Sequence, residues 1–236
     1  MSTIPSRLFS IALMLIIAVT FCSCGVLKPT EDPTRHFILK DKPVSKLTTK
    51  SQLSVLVGTV TIPDYLDHSE IVTVNAEGDL DLAEFHVWAE PLDKGIGRVV
   101  ASNVSKLLDS PNVGPFPQID PIDFNYRVPI IVRRFEMRED GKIHLELGYA
   151  ITTPGLGAKS SGSKSVSITK DVSDPTSHGS IAEAMSECLA DLSRQISSQV
   201  LAVEKKRKAA EEAAEAAAEA DGDGGAEEVE GGEGEA

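Results

Sequence analysis

The side chains with the clearest chemical prospect are two thiols near the N-terminus, in Phe21-Cys22-Ser23-Cys24-Gly25. A bacterial lipobox requires a small residue directly before the cysteine that is diacylated; Ser23 meets this for Cys24, and Phe21 fails it for Cys22. The chemistry expected is acylation of the Cys24 sulfur, with cleavage before it, so that the mature chain begins at Cys24 and lipid chains hold it to a membrane. The upstream segment fits. From Leu8 to Phe21 only Ser10 and Thr20 are polar, and a run of about fourteen is the length of a signal-peptide core. The alternative is an uncleaved anchor, because the uncharged stretch from Arg7 to Lys28 reaches the roughly twenty residues that a spanning helix needs.

Other groups with catalytic potential do not assemble in the sequence. Cys188 is the one remaining cysteine, so the chain beyond Cys24 has no pair for an internal disulfide and is expected to hold together by its core. It sits near the apolar stripe of a predicted helix, where a reduced thiol acts as a small hydrophobe. His36, His68, His86, His144 and His178 are scattered without metal-ligand spacing. There is no Gly-x-Ser-x-Gly elbow and no phosphate loop ending in Lys-Ser or Lys-Thr. Gly95-Ile96-Gly97 lacks the third glycine of a dinucleotide loop and suits close helix packing better. Asp64, Asp67 and Glu70 surround a proline turn, where acids cap helices or meet water. No catalytic, metal or cofactor residue is therefore assigned.

Charge separates the body from the tail. Of the net charge of −13, eleven negative charges lie after Ala209 with no base among them, so the first 208 residues carry only −2. A nearly neutral body points to no electrostatic partner, nucleic acid included. The expected division is a signal over 1–23, a tether over 24–34, one globular domain over 35–203 and an acidic tail over 204–236. Ala209 to Ala220 favours helix by propensity, but Glu211, Glu215 and Glu219 repel at four-residue spacing and no apolar stripe supports it. A frayed, solvated extension is expected there, then a disordered Gly/Glu segment.

The domain reads as α/β. Strands are expected at His36–Leu39 and Leu53–Ile62, a hairpin at Ile71–Val74 and Leu80–Leu82, and two long strands at Arg127–Met137 and Lys142–Ile151 joined by Asp140-Gly141. Pro129 predicts an edge strand or a bulge. A loop over 155–164 leads to a strand at Ser165–Lys170. Leu92, Ile96, Val99, Val100, Val104, Leu107 and Leu108 recur at three and four after Pro91, predicting a helix over 91–109. A second helix carries a stripe from Ile181 to Val203, with Ser180 and Glu183 as a capping box and Lys205–Lys208 complementing its C-terminal end. Together these give a single domain, a mixed and largely antiparallel sheet packed by two main amphipathic helices, with a disordered acidic tail.

Several short motifs recur in a consistent order over His36 to Val203: Ile62-Pro63-Asp64-Tyr65-Leu66-Asp67, Glu70-Ile71-Val72-Thr73, Leu82-Ala83-Glu84-Phe85, Trp88-Ala89-Glu90-Pro91-Leu92 and Arg134-Phe135-Glu136. With the lipobox, this set resembles the PqiC-like (paraquat-inducible protein C) family, auxiliary lipoproteins of ABC-type and MCE (mammalian cell entry) transport systems. The resemblance implies a periplasmic domain that partners a tunnel-forming MCE protein with its permease and ATPase, and moves phospholipid or another hydrophobic solute passively, supporting membrane integrity. It implies no enzymatic step. Gly25 after Cys24 is compatible with export to the outer membrane, without excluding inner-membrane retention. Tyr65, Leu66 and Trp88 are the residues expected either to fix the fold or to face a partner, which includes further copies of the chain. A lipid-anchored periplasmic hydrolase and an envelope assembly lipoprotein unrelated to transport remain the competing readings.

Overall fold

A computed structural model describes residues 32–42, 44–48, 51–117, 124–154 and 160–222, with side chains left out at 160–162 and 219–222. The signal segment, Cys22, Cys24, the 155–159 loop and the Gly/Glu end of the tail lie outside the described residues. One compact unit spans Arg35–Ala236, and the few described residues before it belong to a separate N-terminal unit.

Eight strands form a mixed sheet: β1 Arg35–Phe37, β2 Val55–Thr61, β3 Glu70–Val74, β4 Leu80–Trp88, β5 Val113–Pro115, β6 Tyr126–Arg138, β7 Lys142–Thr152 and β8 Ser160–Asp171. Helix α1 spans Leu92–Leu108 and α2 spans His178–Gly222. β6, β7 and β8 are an antiparallel ribbon, and β3 is antiparallel to β4. The remaining pairings, β1 with β4, β2 with β5, and β6 with both β2 and β3, are parallel. Thus β2 and β3 lie end to end along one edge of β6, and the 3-10 turn Asp64–Leu66 is an excursion between them. That excursion exists because Pro63 cannot donate to a ladder.

The helices share one face of the sheet. α1 packs on β2, β5 and α2, while α2 packs on β6, β7 and β8. Ile143, Leu145, Leu147, Tyr149 and Ile151 alternate along β7 and are buried beneath them. They meet Ile96, Val99, Val100 and Val104 of α1, and Met185, Leu189, Leu192, Ile196 and Val200 of α2. Each such side chain contributes about 1.5–3 kcal/mol of transfer free energy, so the two stripes supply a core for a domain with no disulfide among the described residues. Cys188 is fully buried among them, and burial pushes its thiol up to about 12.

Four expectations need correction. Pro129 lies in the central strand, between β2 and β7, so the edge reading fails; its strand does carry a bulge, further along between Val132 and Arg134, and the irregularity beside Pro129 belongs to the neighbouring strand. The extra residue is carried by β2, where the register shifts between Val57 and Val60, and a side chain at Gly58 would press on the Pro129 backbone at 3.2 Å. α2 starts at His178, ahead of Ser180. Ser177 does the capping, its Oγ and carbonyl accepting from Ser180 N and Ile181 N, and Glu183 pairs instead with Lys42. Lys205–Lys208 does not complement a helix end, because α2 runs on to Gly222. Arg207 is held by Glu204 and Glu211, and these pairs carry the helix through the basic run. The third strand of the ribbon begins at Ser160, not Ser165, and β5 is a parallel strand too short for periodicity to reveal.

Candidate functional site

The 3-10 turn between β2 and β3 delivers Tyr65 to a cleft of ≈ 440 Å³ on the sheet, lined also by Val74, Leu80, Arg133, Arg134 and Arg138. Its floor is Glu136, whose side chain is 2 % exposed. Glu136 Oε2 accepts from Tyr65 Oη at 2.9 Å and from Phe135 N at 2.9 Å, while Oε1 faces Arg134 Nε at 3.3 Å. Burial pushes the carboxyl upward, against the opposing pull of Tyr65, Phe135 and Arg134. The Tyr65 phenol is pushed up too, first by burial and then by the charge of Glu136.

The register puts arginines here. β6 bulges between Val132 and Arg134 against β7, so two consecutive arginines, Arg133 and Arg134, stand beside the cleft. Arg133 donates to Leu147 O at 3.0 Å and Ser165 Oγ at 2.5 Å, crossing β7 where Gly148 leaves room. Arg134 reaches Glu146 Oε1 at 3.2 Å. Chemically the arrangement is a cationic rim on a satisfied buried carboxylate, beside an apolar wall of Val74 and Leu80.

Leu80 also begins an apolar stretch. Leu80 (44 %), Leu82 (38 %) and Phe85 (42 %) are exposed on β4. β1 pairs only with His86–Trp88, so among the described residues the outer edge of β4 has no strand partner from Leu80 to Phe85. Leu66 and Trp88, in contrast, are buried at 2 % and 8 %. Trp88 N donates to Ser69 O at 2.6 Å, tying the end of β4 to the start of β3. Of the three expected residues, only Tyr65 is within reach of a partner.

Sequence reasoning missed two polar sites. Tyr126 Oη donates to Glu204 Oε2 at 2.6 Å, and Arg207 grips the same carboxylate through Nε and Nη2, both at 2.9 Å. The contact with Arg207 holds Glu204 down at about 2. The second is a histidine pair. The rings of His86 on β4 and His178 at the start of α2 stack with centroids 4.0 Å apart, and Phe37 of β1 stands 5.8 Å from His86. Burial, then the neighbouring His86, lowers the His178 pKa. Spacing could not have found either, since partners lie far apart in the chain. Among the described residues no cluster of His, Cys, Asp and Glu is arranged to hold a metal, and no helix is long and apolar enough to cross a membrane.

No curated protein matches the sequence. Solved structures share the fold, two of them as follows. A Xanthomonas campestris protein of the DUF330 family superposes with a TM-score of 0.61 at 15% identity, covering 74% of this chain and 99% of its own. An uncharacterized protein superposes with a TM-score of 0.58 at 17% identity, covering 71% of this chain and 98% of its own. The family model that describes ABC-type transport auxiliary lipoprotein components matches residues 38–197, which contain the whole sheet from β2 to β8, α1 and most of the packed part of α2. The chain belongs to the family of ABC-type transport auxiliary lipoprotein components.

Proposed function

We propose that this chain is an envelope lipoprotein, acylated on Cys24, that serves as the passive adaptor of an MCE-type transport system moving phospholipid or a related hydrophobic solute. The family match over residues 38–197 carries the reading. The Ser23-Cys24 lipobox supports the anchor, and Gly25 suits an outer-membrane address facing the periplasm. The working surface is the open edge of β4 with the cleft beside it. Leu80, Leu82 and Phe85 offer apolar area to a tunnel-forming partner, and Tyr65 with the arginine rim fixes orientation. A partner strand laid along that edge would gain backbone hydrogen bonds while covering these side chains. No step of this role makes or breaks a covalent bond in the solute.

Two measurements test it. Fatty-acid labelling in cells should mark the chain, and Cys24→Ser should abolish both the label and membrane recovery. Pull-down of the labelled chain should recover an MCE-domain protein. A labelled chain that recovers no such protein leaves the anchor standing and removes the transport role.

A further inference from the structure

We propose that the exposed end of α2 is a seam between two copies of this chain, which pair there antiparallel. From Lys205 to Ala218 every residue of the helix is exposed, and only its first turn, through Arg207 and Lys208, still borders the domain. A helix that is polar all round is stabilised by many internal ion pairs, bridges between domains, or does not hold by itself. Internal pairs are few: Glu204 with Arg207 and Lys208, and Arg207 with Glu211. The charges are also in the unfavourable order for a lone helix. The bases Lys205, Lys206, Arg207 and Lys208 come before the acids Glu211, Glu212 and Glu215, the weaker order for pairs four residues apart.

A second copy running the opposite way removes both problems. Lys205, Lys208, Glu212 and Glu215 are spaced three, four and three, which places them on one helix face, flanked by Ala209 and Ala216. With the two-fold axis at Ala210, Lys205 faces Glu215 of the second copy and Lys208 faces its Glu212, each pair occurring twice. The small alanines let the helices approach, and the two macrodipoles oppose. The Glu204 residues of the two copies, where each helix leaves its sheet, stand about 18 Å apart along the axis, so the globular parts lie at opposite ends. The clamp of Tyr126 and Arg207 on Glu204 makes the spar a rigid continuation of the packed helix. This segment lies beyond residue 197, where the family match ends, so the seam is a property of this chain's own extension.

The test uses the full chain in detergent at low salt, weighed by native mass spectrometry. The expected mass is that of two copies, falling to one when residues 209–236 are deleted. Lys205→Glu with Lys208→Glu should weaken pairing about tenfold, and adding Glu212→Lys with Glu215→Lys in the same chain should restore it. Geometry is read separately with a short bis-maleimide. Ala209→Cys should crosslink copies well above the parent chain, whereas Ala216→Cys, about 18 Å from its counterpart in this arrangement, should not. An unchanged mass after deletion, no effect of the double reversal, or equal crosslinking at both positions would each overturn the seam. So would a single-copy mass in a chain whose anionic-vesicle binding disappears with Lys205→Glu and Lys208→Glu, which would assign the basic run to a membrane.

Discussion

Tyr126, the first residue of β6, donates its phenolic hydrogen to Glu204 across 2.6 Å, joining residues 78 apart in sequence at the point where α2 leaves the sheet. Both are buried, Tyr126 fully, and burial with the Glu204 hydrogen bond pushes the phenol up to about 12. Tyr126→Phe removes the donor and leaves Glu204 to Arg207 and Lys208 of its own helix. Hydrogen bonds to charged groups contribute about 1.5–3 kcal/mol, so urea unfolding of the variant should show a loss of that order. Trypsin should also cut sooner at Lys205–Lys208.

The same carboxylate sets an acid limb. Glu204 titrates at about 2 in the folded chain because Arg207 and Tyr126 favour its charged form. A depressed carboxylate contributes stability in full above its unfolded value near 4.5, and that contribution disappears as pH falls toward 2. Denaturation curves between pH 5 and pH 2 should therefore decline more steeply for the parent chain than for Glu204→Gln.

The histidine stack predicts a second pH effect in a different window. His178 is half-buried against His86, and Asp81 opposes the shift only partly, so the folded state favours neutral His178. Its contribution is present above the unfolded value near 6.5 and is lost as pH falls below it. Unfolding measured at pH 7.5 and pH 5.5 should show a larger drop for the parent than for His178→Gln. Ring proton shifts followed by NMR should place His178 below an ordinary histidine.

The open edge of β4 separates stability from partnership. Leu80 and Leu82 are substantially exposed, so Leu80→Glu with Leu82→Glu should change folding free energy by only about 0.5 kcal/mol per site. Recovery of the transport partner should fall sharply. A double variant that unfolds normally and still recovers the partner would move the working surface away from this strand.

The fold subdivides into parts that local patterning reveals and parts that it cannot. The stripes of α1 and of α2 up to Val200 were readable because helix burial repeats at three and four residues within one segment. The Asp140-Gly141 turn was readable because Gly141 needs its positive φ of 69°. The Tyr65 to Glu136 contact, 71 residues apart, and the parallel pairing of β6 with β2 and β3 left no such trace. Propensity favoured helix past the basic run while charge spacing argued against it, and the ion pairs that decide the matter begin from a tertiary anchor at Glu204 that spacing does not show.

What the sequence alone determined is the order of parts: an apolar N-terminal stretch ending in Cys22-Ser23-Cys24, a nearly neutral body with two amphipathic helices, and an acidic C-terminal segment. These follow from composition and short-range periodicity, which act within a few residues. The tertiary structure decided which strand is central, which aromatic residues are buried, and which apolar side chains remain in water. Those outcomes depend on strand registers and buried charge pairs between distant segments, where the free energy is set by three-dimensional packing and spacing along the chain carries no information about it.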